Sequence, residues 1–173
     1  MERETITNAI QKLTEYNLWL NGIRYLDSLP FGEDYRGVIF FSLLYIVKDY
    51  KKYYIVPANP EEIYTALTNP FTIELWTGEP AVMSTEPGTE FSMWDGSIVG
   101  RNMEFEEGKK IVQQWYFDGQ DEPSVVTIKL HPDKYGTSAE LRHTNIPDEA
   151  FTDISEGWND AYFGALTEFF EGI

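Results

Sequence analysis

Apolar and polar positions separate most clearly at the end of the chain, over Asp148 to Phe170. Phe151, Ile154, Trp158, Tyr162, Ala165, Leu166, Phe169 and Phe170 recur at helical steps, which places them on one face of a helix. Glu149, Asp153, Glu156, Asp160 and Glu168 fall on the other face. Acids crowd the N-terminal half, where the helix dipole favours them, and Asp148, directly after Pro147, is placed to cap the first turn. The apolar stripe is heavily aromatic, and each such ring buries roughly 150–250 Å². It therefore predicts a broad partner surface. Gly157 and Gly164 lie inside this helix, each at a cost of about 1 kcal/mol relative to alanine. Either the backbone needs room there, for a close approach or a kink, or the cost is simply tolerated.

The middle of the chain supplies the partner surface. Lys52 to Val56 is rich in β-formers and predicts a strand. Asn59 then caps a helix with Pro60 at its first position, Glu61 and Glu62 in its first turn, and Ile63, Tyr64 and Leu67 on its apolar face. Asn69-Pro70 ends it, a second short helix runs from Phe71 to Trp76 and stops at Thr77-Gly78, and Glu86-Pro87-Gly88 is a turn. Five strands come next, over Glu90–Trp94, Ser97–Phe105, Lys110–Phe117, Ser124–His131 and Thr137–Asn145. Asp95-Gly96, Glu107-Gly108, Asp118-Gly119 and Tyr135-Gly136 separate them as hairpin turns. A strand, two helices, a five-strand meander and a long helix make an α+β pattern, an antiparallel sheet with the last helix laid across one face.

The first fifty residues read differently. Glu4 to Leu29 is an amphipathic helix by the spacing of Ile6, Ile10, Leu13, Tyr16, Leu20, Ile23 and Leu26, and Pro30-Phe31-Gly32 stops it. The run Val38 to Val47 suits a buried helix or a buried strand, which periodicity does not separate.

Composition narrows the class. The chain has 173 residues, 42% hydrophobic and 16% aromatic, enough for a real core. Its net charge of −16 argues against nucleic acid and anionic membrane surfaces as partners. Without cysteine there is neither a disulfide framework nor a thiolate metal site, and His131 and His143 are too few for a histidine-rich one. No apolar run is long enough to span a bilayer and no secretory leader is recognisable, so the expected location is the cytoplasm.

From Lys52 onward the chain resembles the START-like superfamily, also called SRPBCC or birch-pollen-allergen-like. Within it the match is to the C-terminal domain of the activator of the ninety-kilodalton heat-shock protein's ATPase and its bacterial homologues. The residues that carry it are Ala58 to Tyr64, Ala66 to Pro70, Trp76, Pro87 to Phe91, Asp95 to Gly100, Lys110-Ile111-Val112 with Trp115, Gly136-Thr137, Leu141-Arg142-His143, Ile146-Pro147 and Gly157-Trp158. The resemblance implies a helix-grip fold: a curved antiparallel sheet wrapped around the C-terminal helix, with an apolar cavity between them. Residues 51–173 are thus expected to form the grip domain and residues 1–50 an N-terminal helical extension. Within the extension, Thr14-Glu15-Tyr16-Asn17-Leu18-Trp19 resembles the opening helix of DinB-like four-helix proteins, without that family's metal histidines. Met1 to Ile46 is then either a remnant joined upstream of a stand-alone copy beginning near Val47, or a genuine helical extension.

Strand alternation selects the inward residues. Ile111, Gln113, Trp115 and Phe117 share one face of their strand, and Ala139, Leu141, His143 and Asn145 share one of theirs. Facing them from the helix are Trp158, Tyr162, Leu166 and Phe169, with Phe91, Met93 and Trp76 at the margin. The expected ligand-binding set is Trp76, Phe91, Met93, Gln113, Trp115, Leu141, His143, Trp158, Tyr162, Leu166 and Phe169. Gln113, His143 and Tyr162 are the informative members, since an unpaired polar group inside costs roughly 1–3 kcal/mol. They either orient a ligand or bond one another, the backbone or water. No serine elbow, phosphate loop or metal cluster is recognisable, so no catalytic residue, metal or cofactor is assigned. Two functions stand: a binding module for a small hydrophobic or aromatic ligand, and a co-chaperone-like interaction module for a heat-shock chaperone. An enzyme acting through polar cavity residues is a lesser third.

Overall fold

The computed structural model describes residues 47–117 and 123–172. The expected first helix, most of the Val38–Val47 run and the Asp118-Gly119 turn lie outside them. Six strands, β1 (Val47–Val56), β2 (Glu90–Met93), β3 (Ile98–Glu106), β4 (Lys110–Trp115), β5 (Ser124–Asp133) and β6 (Gly136–Pro147), form one sheet in the order β1-β6-β5-β4-β3-β2. All pairings are antiparallel. β1 starts at Val47, so Val47–Tyr50, expected to belong to the N-terminal segment, are strand.

Register slips at two places, between Lys48 and Tyr50 against β6 and between Asn102 and Glu104 against β4. Such bulges bend a strand and raise its twist, which curves the sheet at both sides of the grip. Neither was legible in the alternation of residue types. At the β5–β6 turn, Gly136 has φ of 132°, and a Cβ there would lie 2.2 Å from the Val56 carbonyl oxygen. Only glycine lets this turn lie against the end of β1.

Between β1 and β2 stand α1 (Pro60–Thr68) and α2 (Pro70–Thr77). Asn59 and Glu62 form a reciprocal capping box, each side chain accepting the other's backbone N–H at 3.0 Å. Asn69 ends α1 and caps α2 by accepting from Phe71 and Thr72. Gly78, left-handed at φ 78°, closes α2.

The last element differs from the single helix expected. A 3-10 turn (Asp148–Ala150) leads into α3 (Phe151–Gly157), a π turn (Trp158–Tyr162) and α4 (Phe163–Glu171). Asp148 does not cap it; its carboxylate pairs with Lys48. In the π turn the Phe163 N–H reaches back five residues, to the Trp158 carbonyl. The extra residue rotates the start of α4, so Phe163 turns inward beside Tyr162 and stacks on Tyr54 of β1 with ring centroids 4.1 Å apart. The two glycines separate here. A Cβ on Gly164 would lie 2.7 Å from the Asn159 carbonyl, whereas one on Gly157 meets nothing within 4 Å.

The core lies between this helix and the sheet, with Trp158, Tyr162, Phe163 and Leu166 packed over Ile111, Trp115, Ile128, Ala139 and Leu141. Among the described residues, no helix is long and apolar enough to cross a membrane.

Candidate functional site

The polar residues pointing inward are mostly paired with protein groups. Gln113 Nε2 donates to Asn102 Oδ1 at 2.9 Å, and Asn102 Nδ2 reaches Thr89 Oγ1 at 3.2 Å. His143 is bonded at both ring nitrogens: Trp158 Nε1 donates to its Nδ1 at 3.1 Å, and its Nε2 lies 2.8 Å from Ser124 Oγ. An indole N–H only donates, so Nδ1 carries no proton and Nε2 does. Ser124 Oγ then accepts from Nε2 and donates to the Thr144 carbonyl at 3.1 Å. Burial holds the His143 ring neutral, its pKa pushed down to about 3.

That order of protons has a chemical consequence. Sequence reading recognised no serine elbow, yet β5 and β6 bring Ser124 to His143. A catalytic pair needs the histidine nitrogen to accept the serine proton. Here Nε2 is already a donor, no carboxylate sits at Nδ1, and Ser124 is 1% exposed. The pair anchors the sheet to the helix.

Beside this closed region is a cleft of about 440 Å³, lined by Trp94, Ser97, Ile98, Trp115, Asp153, Ile154, Gly157, Trp158, Ala161 and Tyr162. Its walls come from the β2–β3 loop and from the helix face running across the π turn. Trp115 and Trp158 stack with centroids 4.8 Å apart, and Tyr162 lies 4.5 Å from Trp158. Three consecutive loop residues, Trp94, Asp95 and Gly96, are left-handed, with φ of 49°, 51° and 85°. This is uncommon for a tryptophan, and such backbone concentrates at ligand clamps. It makes the expected two-residue break a longer loop that aims Trp94 at Tyr162 (5.9 Å) and Trp76 (5.6 Å).

Two polar groups here have no hydrogen-bond partner among the described residues. Trp115 Nε1 is buried without a hydrogen bond. The Tyr162 hydroxyl has none among the described residues, and burial alone pushes its phenol pKa up. The opposite side of the π turn is the reverse case. Asn159 Oδ1 accepts from Lys52, from Tyr54 at 2.9 Å and from Tyr50 at 3.2 Å, while its Nδ2 donates to the Ser155 carbonyl. Burial first, then the neighbouring Tyr50 hydroxyl, raises the Tyr54 pKa. The β1 clamp thus fixes the helix segment that carries Trp158 and Tyr162 into the cleft.

Of the residues expected to bind ligand, Trp115, Trp158 and Tyr162 line the cleft. Trp76 stands behind Tyr162, its indole N–H bonded to the Ala66 carbonyl at 2.9 Å. Phe91, Met93, Leu141 and Leu166 are packed in the core, Gln113 and His143 are held in their polar pairs, and Phe169 is half-buried against Phe170. Sequence reading missed Trp94, Ser97 and Ile98, which the loop conformation brings in. It also placed Asp153 on the solvent face only, although that residue borders the cleft. The Asp95-Gly96 signal marked the loop, but its length depends on backbone angles. Among the described residues, no group of three or more histidine, aspartate or glutamate side chains is placed to hold a metal ion.

The arrangement has relatives. The family model of the Activator of Hsp90 ATPase homolog 1-like protein matches residues 57–171. An activator of 90 kDa heat shock protein ATPase homolog from Dictyostelium discoideum is 34% identical over 103 residues, 58% of this chain and 27% of that protein. The Homo sapiens homolog 1 is 31% identical over 116 residues, 65% of this chain and 34% of that protein. The matched part of the chain thus spans about a third or less of these relatives' length. Two solved structures share the fold: a Mesorhizobium loti protein (TM-score 0.63, 23% identity, 72% of this chain and 98% of that one) and an HSP90 activator from Plasmodium falciparum (TM-score 0.61, 24% identity, 67% and 91%). With the helix-grip architecture in place and more than half of its residues inside the family model, the chain belongs to the Activator of Hsp90 ATPase homolog 1-like family.

Proposed function

We propose that the domain beginning at Val47 is a binding module that takes a small apolar or aromatic molecule in the cleft beside its last helix. The observation that carries this is the cleft itself: about 440 Å³ walled by three indoles and a phenol, inside the roughly 300–1,000 Å³ typical of ligand pockets. The Tyr162 hydroxyl, without a hydrogen bond among the described residues, supports it, since a polar group in an apolar wall fixes a ligand's orientation. Thermal shift against a library of lipids and aromatics tests it, with tryptophan fluorescence as second readout. A fitting ligand at 100 times its Kd adds about 2.7 kcal/mol of stability, and Trp94→Ala removes the shift. The reading fails if no compound shifts the wild type.

A second reading rests on the relatives' names. A co-chaperone-like module would use the acidic surface, net charge −16, against a basic face of a 90 kDa heat-shock-type chaperone. Pull-down at low and high salt tests it. Capture that salt weakens supports it, and no capture at low salt removes it.

A further inference from the structure

The charges around the cleft narrow its occupant, a step that rests on the small-ligand reading. We propose that the cleft selects an organic cation, a quaternary or protonated amine carried on an apolar or aromatic body. Among the described residues, Asp153 is the only charged one along its walls, which include no lysine, arginine or histidine. Among the described residues no hydrogen bond or ion pair engages Asp153, so its carboxylate is free to meet a ligand. Trp94, Trp115, Trp158 and Tyr162 supply its aromatic lining, and apart from Asp153 the remaining lining residues are small or aliphatic. Aromatic faces carry negative potential and attract a cation within about 6 Å of the ring centre, most strongly for tryptophan. The chain's net charge of −16 adds a field of the same sign. A carboxylate or phosphate would meet no positive group among the described residues of the cleft and would be repelled by Asp153.

Three probes of similar apolar body but different charge decide it: phenylbutyltrimethylammonium, phenylbutanol and phenylbutyrate, titrated against tryptophan fluorescence and by calorimetry at low and high salt. The cation is expected to bind about tenfold more tightly than the alcohol, with the acid weakest. Asp153→Asn should lower the cation's affinity several-fold, without changing that of phenylbutanol. If the alcohol or the acid binds as tightly as the cation and Trp94→Ala abolishes that binding, the cation assignment falls while the cleft remains a ligand site. If no probe binds, the cation assignment falls, while the small-ligand reading stands or falls on the library screen.

Discussion

Trp158 belongs to two regions that resolve their polar groups in opposite ways. On one side its N–H enters the chain through His143 and Ser124 to the Thr144 carbonyl, where each donor meets an acceptor. On the other side it stacks on Trp115, whose N–H has no partner, and borders a cleft whose Tyr162 hydroxyl and Asp153 carboxylate have none among the described residues. The closed region holds helix to sheet; the open one leaves donors, an acceptor and volume for something else. An unpaired group inside a protein is costly, which is the contrast between the Trp115 N–H and the fully bonded chain through His143.

Replacing the shared residue should separate the two roles most strongly. Trp158→Ala removes a buried ring and strips His143 of its donor, and is expected to lower unfolding stability by about 4 kcal/mol. Trp94→Ala, at the cleft, should cost far less while abolishing ligand binding. Urea denaturation of both variants checks this, and equal losses would mean that the cleft is ordinary core.

Acid probes the closed region through His143. Above 6.5, the ordinary value for histidine, the ring is neutral folded or unfolded. From 6.5 down to about 3 the unfolded chain takes up a proton that the folded ring refuses, so stability falls with pH across that window. The loss is on the order of 4 kcal/mol by its lower end. His143→Gln should flatten that part of the stability profile, and an unchanged slope would place the acid sensitivity elsewhere.

The glycines sharpen the comparison further. Gly164→Ala drives a methyl against the Asn159 carbonyl and should destabilise by roughly 1–3 kcal/mol. It should also shift the tryptophan emission as the π turn moves. Gly157→Ala meets open space and should stabilise by up to about 1 kcal/mol through helix propensity, while its methyl narrows the cleft. Thermal melts of the pair should move in opposite directions. Smallest of all, Trp115→Phe deletes the unpaired donor. Removing the indole's second ring costs some packing, but no hydrogen bond is lost, so the net change should stay within about 1 kcal/mol. In urea denaturation, only a loss beyond what the vacated volume accounts for would point to a partner for the N–H.

Much of this architecture is legible in the residues. Asn59-Pro60-Glu61-Glu62 specifies a capped helix start because the side chains that satisfy the first N–H groups are local. Alternation along β4 places Ile111, Gln113 and Trp115 inside because a strand's faces repeat every two residues. The aromatic stripe of the last helix foretold its place over the sheet. Features that depend on distant parts of the chain were not legible. The π turn comes from stacking Phe163 on Tyr54 and clamping Asn159 from β1, contacts across more than a hundred residues. The left-handed Trp94, the bulge at Asn102–Glu104 and the meeting of Ser124 with His143 likewise arise only when strands pair. Local sequence determined which segments are helix or strand and which faces are apolar, because backbone periodicity and capping are short-range. Tertiary packing alone decided where that apolar interior closes and where it stays open, because fit between surfaces far apart in the chain has no signature in either one.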